Sequence, residues 1–395
     1  MNGRLHFLLV LPLAVATAGP AAQDSPAEWI EPATGHRVIR LSRDPGSASF
    51  YFHQNGYTAE GDTLVISTRE GLSTIDLRTR RIEPLVEGRV SHVVVGRKTR
   101  QAFYIKDGMV YATQVDTRAT RAIVTMPSLR TGSGLTLNAD ETMLAGSKLQ
   151  ADEPVAPRAP DGPGGPTIPR NQETSLEARW VARRPMELYT VRLESGEVNR
   201  FHQSTDWLNH VQFSPTDPTL LMFCHEGPWH KVDRIWTIRT DGRGLRLMHE
   251  RTMPMEIAGH EFFSPDGSTV WYDLQTPKSK VFWLAGVEVA TGKRIRYPIQ
   301  RQHWSVHFNL SPDGKRFAGD GGGPRSVAAP GNGQWIYLFT PRGRELQVEK
   351  LVDLRNHDYR LEPNVTFTPD GKWVVFRSNM HGGSHVYAVE VAPAP

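Results

Sequence analysis

Three histidines recur at the same distance before a repeated turn sequence in the second half of the chain. His210, His260 and His307 each stand three residues before a Phe/Leu-Ser-Pro sequence, and Glu362 and Asn364 occupy the matching place in the last copy. Imidazole, carboxylate and amide groups bind divalent cations or move protons, so their convergence would create a metal or acid–base site. The alternative is structural, with each side chain tying one repeat to the next.

The turn sequence itself predicts the elements that position these residues. Ser/Thr-Pro-Asp-Gly is complete at 264–267, 311–314 and 368–371, looser at 214–218, and degenerate near 57–62, 95–99 and 137–141. Proline presets φ at the first central position and glycine accepts a positive φ, so each copy favours a hairpin. Seven hairpin signals, most about 40 to 55 residues apart, predict an all-β, seven-bladed β-propeller. Equivalent positions on successive blades then face one central funnel.

The N-terminal region predicts two separate roles. Residues 1–22 resemble a cleaved secretory signal, because Arg4 precedes a short apolar core that small residues follow. That core is too short to span a bilayer, so we expect no membrane span and a periplasmic or secreted mature protein. Residues 36–41 alternate like a single strand, which predicts that they complete the last blade and close the ring.

Residues 23–395 are expected to form one propeller domain with a single long insertion. The insertion, at about 151–170, is rich in proline and glycine and cannot bury a core. An active-site lid and a mobile loop both remain open for it. The net charge is only +4 and no basic run contains interleaved aromatic residues, so no nucleic-acid partner is expected.

A second group of candidate residues follows the single cysteine, Cys224. The indole of Trp229 can stack on a sugar ring, and the guanidinium of Arg234 can form two parallel hydrogen bonds with a carboxylate. Together with His210 and His225, they are candidate residues for binding a ligand that contains sugar rings or carboxylates. A structural role is the alternative for each, and the common nucleotide-phosphate, serine-hydrolase and zinc-protease motifs are missing from the sequence.

Longer strings resemble the oligogalacturonate lyase family. The most specific are Cys-His-Glu-Gly-Pro, the Val-Asp-Arg-Ile-Trp that follows it, and Gly-His-Glu-Phe, at 224–228, 232–236 and 259–262. Strings at 34–41, 51–54, 207–210 and 319–321 are also similar to that family. The resemblance therefore extends over nearly the whole mature chain.

The resemblance implies a fold, a reaction and several residue roles. The family is a seven-bladed propeller that cleaves short pectic oligosaccharides by metal-assisted β-elimination, usually with manganese, leaving 4,5-unsaturated products. By resemblance, His260 matches the Brønsted base, Arg234 matches the active-site arginine, and His307 matches one metal-ligand histidine.

The last blade departs from the family pattern. The family has His-x-His there, with Gln three residues earlier, whereas this chain has Glu362 and Asn364, with Tyr359 at the Gln position. Carboxylate and amide oxygens still suit a hard cation such as Mn²⁺, Ca²⁺ or Mg²⁺, so Glu362 and Asn364 join His307 as expected ligands. Loss of the metal, action on a different acidic glycan, and a non-catalytic periplasmic sugar-binding propeller remain as alternatives.

Overall fold

The computed structural model describes residues 26–126, 133–150, 172–322 and 334–393. The expected signal at 1–22 and the expected insertion at 151–170 lie outside these ranges. The first two strands are β1 (Glu28–Ile30) and β2 (His36–Arg40). Six sheets follow one another along the chain after these strands. The last strands of the chain form a seventh sheet, which β1 and β2 join.

The first three of these sheets are blades 1 to 3. Blade 1 contains β3 (Thr63–Ser67), β4 (Gly71–Asp76) and β5 (Ile82–Glu87). Blade 2 contains β6 (Ser91–Val95), β7 (Gln101–Lys106), β8 (Met109–Gln114) and β9 (Thr120–Thr125). Blade 3 contains β10 (Ser133–Leu137), β11 (Met143–Leu149), β12 (Met186–Arg192) and β13 (Val198–Ser204), with α1 (Gln172–Ala182) between β11 and β12.

Blades 4 to 6 are four-stranded antiparallel sheets. Blade 4 contains β14 (Leu208–Phe213), β15 (Leu220–His225), β16 (Ile235–Arg239) and β17 (Arg246–Leu247). Blade 5 contains β18 (Ile257–Phe263), β19 (Thr269–Gln275), β20 (Phe282–Glu288) and β21 (Arg294–Ile299). Blade 6 contains β22 (Ser305–Leu310), β23 (Phe317–Gly321), β24 (Trp335–Arg342) and β25 (Glu345–Asp353).

Blade 7 joins the two ends of the described chain. It contains β26 (Thr366–Phe367), β27 (Trp373–Ser378) and β28 (His385–Pro393), followed outward by β2 and β1. Val38 of β2 faces Val389 of β28 in an antiparallel pairing. The all-β, seven-bladed propeller closed by an N-terminal strand is therefore confirmed, and a second N-terminal strand, β1, extends the seal.

The first strand of each blade lies innermost, where it meets the first strands of its neighbours. Contacts run from β6 to β10, β14, β18, β22 and β26 in turn. In blade 1 the segment 48–57 takes the innermost place, held to β3 by isolated bridges at Ala48 and Tyr57. The inner ring therefore collects one chain segment from every blade.

The hydrophobic core lies between adjacent blades. All seven residues of β19 are buried, because a sheet covered on both faces needs no polar alternation. One cluster packs Phe262 and Trp271 of blade 5 against Phe308 and Phe339 of blade 6. Such close packing fixes the inner strands and hence the directions of their side chains.

The repeated turns have the geometry expected from their sequence. In the first complete copy, Gly267 has a φ of 71° and donates its N–H to the carbonyl of Ser264 at 2.9 Å. The Ser264 hydroxyl in turn donates to Asp266 at 2.5 Å. Only a residue that tolerates positive φ suits the fourth position, which explains the glycine. Among the described helices, none combines the length and apolar character that a membrane crossing needs.

Candidate active site

The three predicted histidines lie on β-bulges in the innermost strands of blades 4, 5 and 6. Pairing with the second strand shifts register at His210, His260 and His307, whose φ angles are 50°, 51° and 48°. Asn364, just before β26, has a φ of 53°. A bulge re-aims its side chain, and non-glycine residues with positive φ often occur at functional sites. The repeated sequence position thus corresponds to a repeated structural device.

The same bulge also occurs where it is used structurally. His92 in blade 2 has a φ of 53°, and its Nδ1 accepts the backbone N–H of Gly134 at 3.0 Å. This imidazole ties blade 2 to blade 3, which is the alternative that the sequence left open for every histidine. A position on a bulge therefore does not make a histidine functional. The groups that contact the imidazole determine whether its role is structural or catalytic.

His260 is held by a buried carboxylate. Its Nδ1 lies 2.5 Å from Oδ1 of Asp273, which stands on β19 opposite Gly259. Burial by itself would lower the pKa of His260, but the charge and hydrogen bond of Asp273 outweigh burial and raise it. Since Asp273 accepts the Nδ1 proton, Nε2 carries the lone pair that can accept a proton.

His307 has a matching arrangement one blade further on. Its Nδ1 lies 2.9 Å from Oδ2 of Asp320 on β23, and its ring centroid lies 4.4 Å from that of His260. The buried Nε2 of His307 has no hydrogen-bond partner among the described residues and lies 3.6 Å from Oε2 of Glu362. A histidine whose other nitrogen is held by a carboxylate is the usual arrangement of a metal ligand.

The sequence analysis missed both carboxylates, although a signal for them exists. Asp273 follows His260 by 13 residues, and Asp320 follows His307 by the same number. In both blades the histidine stands four residues before the turn serine, Ser264 or Ser311, and the aspartate stands nine residues after it, so the same spacing returns to the same place. A search for acidic residues at a fixed distance after each histidine would have found the pair.

His307 and Glu362 form a pair of donors that fits a divalent cation. Glu362 is half-exposed, and although burial opposes its ionisation, His307 and His260 hold its pKa below the usual value. The described ranges contain no group of three or more His, Cys, Asp or Glu arranged around one metal position. A hard cation at this place would therefore complete its shell with water and substrate oxygens, as Mn²⁺ and Mg²⁺ commonly do.

The other two expected ligands have different surroundings. The amide oxygen of Asn364 accepts the N–H of Phe52 at 3.2 Å, and the Asn364 N–H donates to Asp320 at 2.9 Å. The Tyr359 ring packs edge-on against His357, 4.7 Å between centroids, and within the described residues no contact joins it to Glu362. Metal ligation by Asn364 or Tyr359 stays a prediction, whereas the observed contacts show Asn364 supporting Asp320.

Arg234 belongs to a buried ion pair next to His210. Its Nε donates to Oε2 of Glu261 at 2.9 Å, and both side chains are at most 5% exposed. Burial alone would raise the pKa of Glu261, but the charge of Arg234 outweighs it and lowers the pKa to about 2. The other carboxylate oxygen faces Nδ1 of His210 across 3.8 Å. Within the described residues Glu261 bonds only to Nε of Arg234, so the two terminal nitrogens could bind an anionic ligand.

Blade 1 contributes an aromatic segment that the sequence analysis did not assign to the site. The Tyr51 ring lies 5.5 Å from His307 and 5.6 Å from His210, between centroids, and the His53 ring lies 5.8 Å from His210. Burial lowers the pKa of His53 and of His210 to about 3, so both are neutral at pH 7. The repeated turn sequence could not reveal this segment, because the segment contains no Ser-Pro-Asp-Gly turn of its own.

His225 and Trp229 occupy the rim beside blade 4. His225 ends β15 and lies 3.4 Å from Asp206, and half-buried Trp229 follows in the loop 226–234. The helix α1 covers this rim, because Arg179 stacks on Trp207 at 4.8 Å from the ring centroid. Arg179 also pairs with Glu226 at 2.6 Å. Within the described residues no contact joins His225 or Trp229 to the central histidines, so their binding role stays a prediction.

Comparison with known proteins identifies relatives of the chain. Residues 25–394 match the family described as "Oligogalacturonate lyase". The oligogalacturonate lyase of Dickeya dadantii (strain 3937) is 25% identical over 380 residues, which are 91% of this chain and 94% of the relative. The oligogalacturonide lyase of Pectobacterium atrosepticum is 25% identical over 383 residues, with the same coverage.

Two solved structures share the architecture. An oligogalacturonate lyase in complex with manganese has a TM-score of 0.78 and 23% identity, covering 92% of this chain and 96% of its own. The oligogalacturonate lyase of Vibrio parahaemolyticus has a TM-score of 0.78 and 22% identity, with the same coverage. These values establish the common fold, and the family match confirms the resemblance drawn from the sequence.

Proposed function

Because the chain belongs to the oligogalacturonate lyase family, we propose that it cleaves pectic, oligogalacturonate-like glycans by β-elimination, leaving 4,5-unsaturated products. The observation that carries the proposal is the Asp273–His260 pair, in which the carboxylate fixes the imidazole tautomer. The ring of His260 lies 4.4 Å, between centroids, from that of His307, which a second carboxylate holds. Elimination next to a carboxylate requires a base with a fixed tautomer and a nearby positive charge, and His307 and Glu362 could bind a cation that supplies this charge.

The C5 proton of a uronate is weakly acidic, because the adjacent carboxylate already carries a negative charge. Its removal becomes feasible when positive groups stabilise the charge that develops on the carboxylate oxygens. A divalent cation held by His307 and Glu362, with Mn²⁺ favoured and Ca²⁺ or Mg²⁺ as alternatives, would supply that charge as a Lewis acid. His260, oriented by Asp273, accepts the C5 proton at Nε2.

Arg234 orients the substrate in this proposal. Glu261 fixes the guanidinium through Nε, so the terminal N–H groups form a planar fork that matches a uronate carboxylate. His210 lies beside the carboxylate of Glu261, and as a neutral imidazole it can hydrogen-bond a sugar hydroxyl. His225 and Trp229 would contact a more distant sugar at the rim. The partner is thus an acidic oligosaccharide.

The test is the formation of unsaturated ends from oligogalacturonates. Purified protein with Mn²⁺ is incubated with the oligomers, and the absorbance of the new conjugated double bond is followed. His260→Ala is expected to lose activity by about 10²-fold or more, the usual contribution of a general base. His92→Ala is the matched control, because His92 has the same bulge but a backbone partner. Full activity of His260→Ala, or binding without unsaturated products, contradicts the proposal.

A second candidate is elimination on a different acidic glycan. It is favoured by Glu362, which places a carboxylate where the family resemblance implies a histidine ligand and so changes the charge next to the substrate. A panel of uronate polymers compared by kcat/KM separates the two candidates. Higher kcat/KM on a non-pectic uronate glycan would replace the pectic assignment.

We also propose that the protein acts in the periplasm or outside the cell. The support is the signal-like sequence at 1–22, with its positively charged start and short apolar core. Expression of the full chain in a bacterium, followed by fractionation and N-terminal sequencing, tests this. An uncleaved protein recovered only with the cytoplasm contradicts it.

A further inference from the structure

We propose that Tyr51 is the general acid of the reaction, donating its phenolic proton to the oxygen that leaves C4. This inference rests on the proposed elimination and adds a residue that neither the sequence analysis nor the family match assigns. Its basis is the position of Tyr51 in the inner segment of blade 1, against the rings of both His307 and His210.

The backbone around Tyr51 is held firmly at the seam of the ring. The neighbouring Phe52 donates its N–H to Asn364 at 3.2 Å and accepts a hydrogen bond from Asn309 at 3.2 Å. Tyr51 itself accepts, at its carbonyl, the N–H of Gln54 at 2.8 Å. These bonds join blade 1 to blades 6 and 7, so the phenol is positioned by rigid elements, as a catalytic group requires.

The hydroxyl of Tyr51 is available for a ligand. The side chain is partly exposed, and its hydroxyl has no hydrogen-bond partner among the described residues. Burial, followed by the charge of Glu362, raises the pKa of Tyr51, so the phenol carries its proton at neutral pH. A tyrosine serving only the core would instead have its hydroxyl enclosed or paired, as Tyr57 does with Thr366 at 3.2 Å.

Tyr51 and the proposed base contact the same ring. His260 lies 4.4 Å and Tyr51 lies 5.5 Å from His307, measured between centroids. A substrate carboxylate bound next to His307 would therefore lie near both rings, and we assign the proton acceptor to His260 and the proton donor to Tyr51. Tyr359 is a second phenol whose hydroxyl has no hydrogen-bond partner in the described part of the chain, but that hydroxyl is buried beside His357.

The elimination is balanced by these two residues. The C5–H bond breaks, its proton goes to Nε2 of His260, and its electron pair forms the C4–C5 double bond. The C4–O4 bond breaks and its electron pair stays on O4, which takes the Tyr51 proton and departs as a hydroxyl. Without a donor the leaving group would be an alkoxide, which is a poor leaving group at neutral pH. Water later returns a proton to the phenolate and receives one from the imidazolium.

The test compares a leaving group that needs a proton with one that does not. Tyr51→Phe and wild type, both with Mn²⁺, are assayed on an oligogalacturonate and on a 4-deoxy-4-fluoro-galacturonide, which releases fluoride. We expect Tyr51→Phe to lower kcat on the oligogalacturonate by roughly 10²- to 10⁴-fold with little change in KM, and to retain most of its activity on the fluoride substrate. Tyr57→Phe, the same change six residues away, is the control and should keep both activities.

Each outcome decides the question. Equal losses on both substrates assign Tyr51 to binding or structure and overturn the inference, and so does full activity of Tyr51→Phe on the oligogalacturonate. In both cases the wild-type lyase activity stands, so the proposed function survives. A wild type that produces no unsaturated ends from any uronate overturns the proposed function and the inference with it. Melting temperatures of the variants identify any loss that comes from unfolding.

Discussion

Replacing Asp273 with asparagine tests whether the carboxylate orients and tunes the proposed base. The variant keeps the shape of the side chain but removes the charge and offers His260 an amide in place of an acceptor-only group. A hydrogen bond to a charged group contributes about 1.5–3 kcal/mol. At 1.36 kcal/mol for each factor of ten, kcat/KM should fall about 10- to 150-fold if the bond matters fully in the transition state.

The same variant has a distinctive pH dependence. His260 must be neutral to accept a proton, so wild-type kcat/KM should rise with pH through the pKa of His260, which lies above 6.5. Without Asp273, burial dominates and lowers that pKa, so the rising limb of the profile should move to lower pH. The relative loss is therefore smaller at pH 5.5 than at pH 8.

The assay is the pH profile of kcat/KM from the absorbance of unsaturated products. Asp266→Asn is the control, because Asp266 holds the turn of the same blade and should change stability without moving the profile. An unchanged rate and profile in Asp273→Asn, or a shift of the rising limb to higher pH, would refute the role given to Asp273.

Three further predictions concern the site and its support. Arg234→Lys removes the paired terminal N–H groups of the guanidinium and the Nε contact with Glu261, so KM for oligogalacturonates should rise at least about tenfold. A cooperative thermal melting transition should show that the variant is still folded. Asp320→Asn should weaken Mn²⁺ binding about 10- to 100-fold by calorimetry, and an unchanged affinity contradicts ligation by His307. Burial lowers the pKa of His210 from 6.5 in the unfolded chain to about 3 in the folded protein, so below pH 6.5 the unfolded chain binds the proton more readily. The free energy of unfolding should therefore fall by about 1.4 kcal/mol per pH unit as pH drops below 6.5. Urea unfolding at pH 7 and pH 5 should show this slope reduced in His210→Gln.

Much of the fold follows from the turn sequence and the closing strand. The Ser-Pro-Asp-Gly copies are local signals, because their proline, aspartate and glycine determine a hairpin without help from distant residues. The alternating strand at 36–41 lacked a local partner, and in a closed ring only blade 7 can provide one. The second sealing strand, β1, was missed because three residues are too few to show alternation.

The site was predicted only as far as it repeats. His260 and His307 were identified from their place before the turns, and their carboxylates were missed although they share a spacing. Tyr51 could not be found in this way, because blade 1 has an irregular inner segment instead of a bulged strand. The pairing of Arg234 with Glu261 joins a loop of blade 4 to the inner strand of blade 5, and no local pattern encodes that contact.

The hydrogen bond between Phe52 and Asn364 spans 312 residues of sequence and joins the first blade to the last. During synthesis the ribosome therefore finishes most of the chain before the two halves of the site can meet. A nascent or C-terminally truncated chain would hold Tyr51 without the groups that surround it. The proposed site would then be complete only once the last blade has been made and has closed against the first.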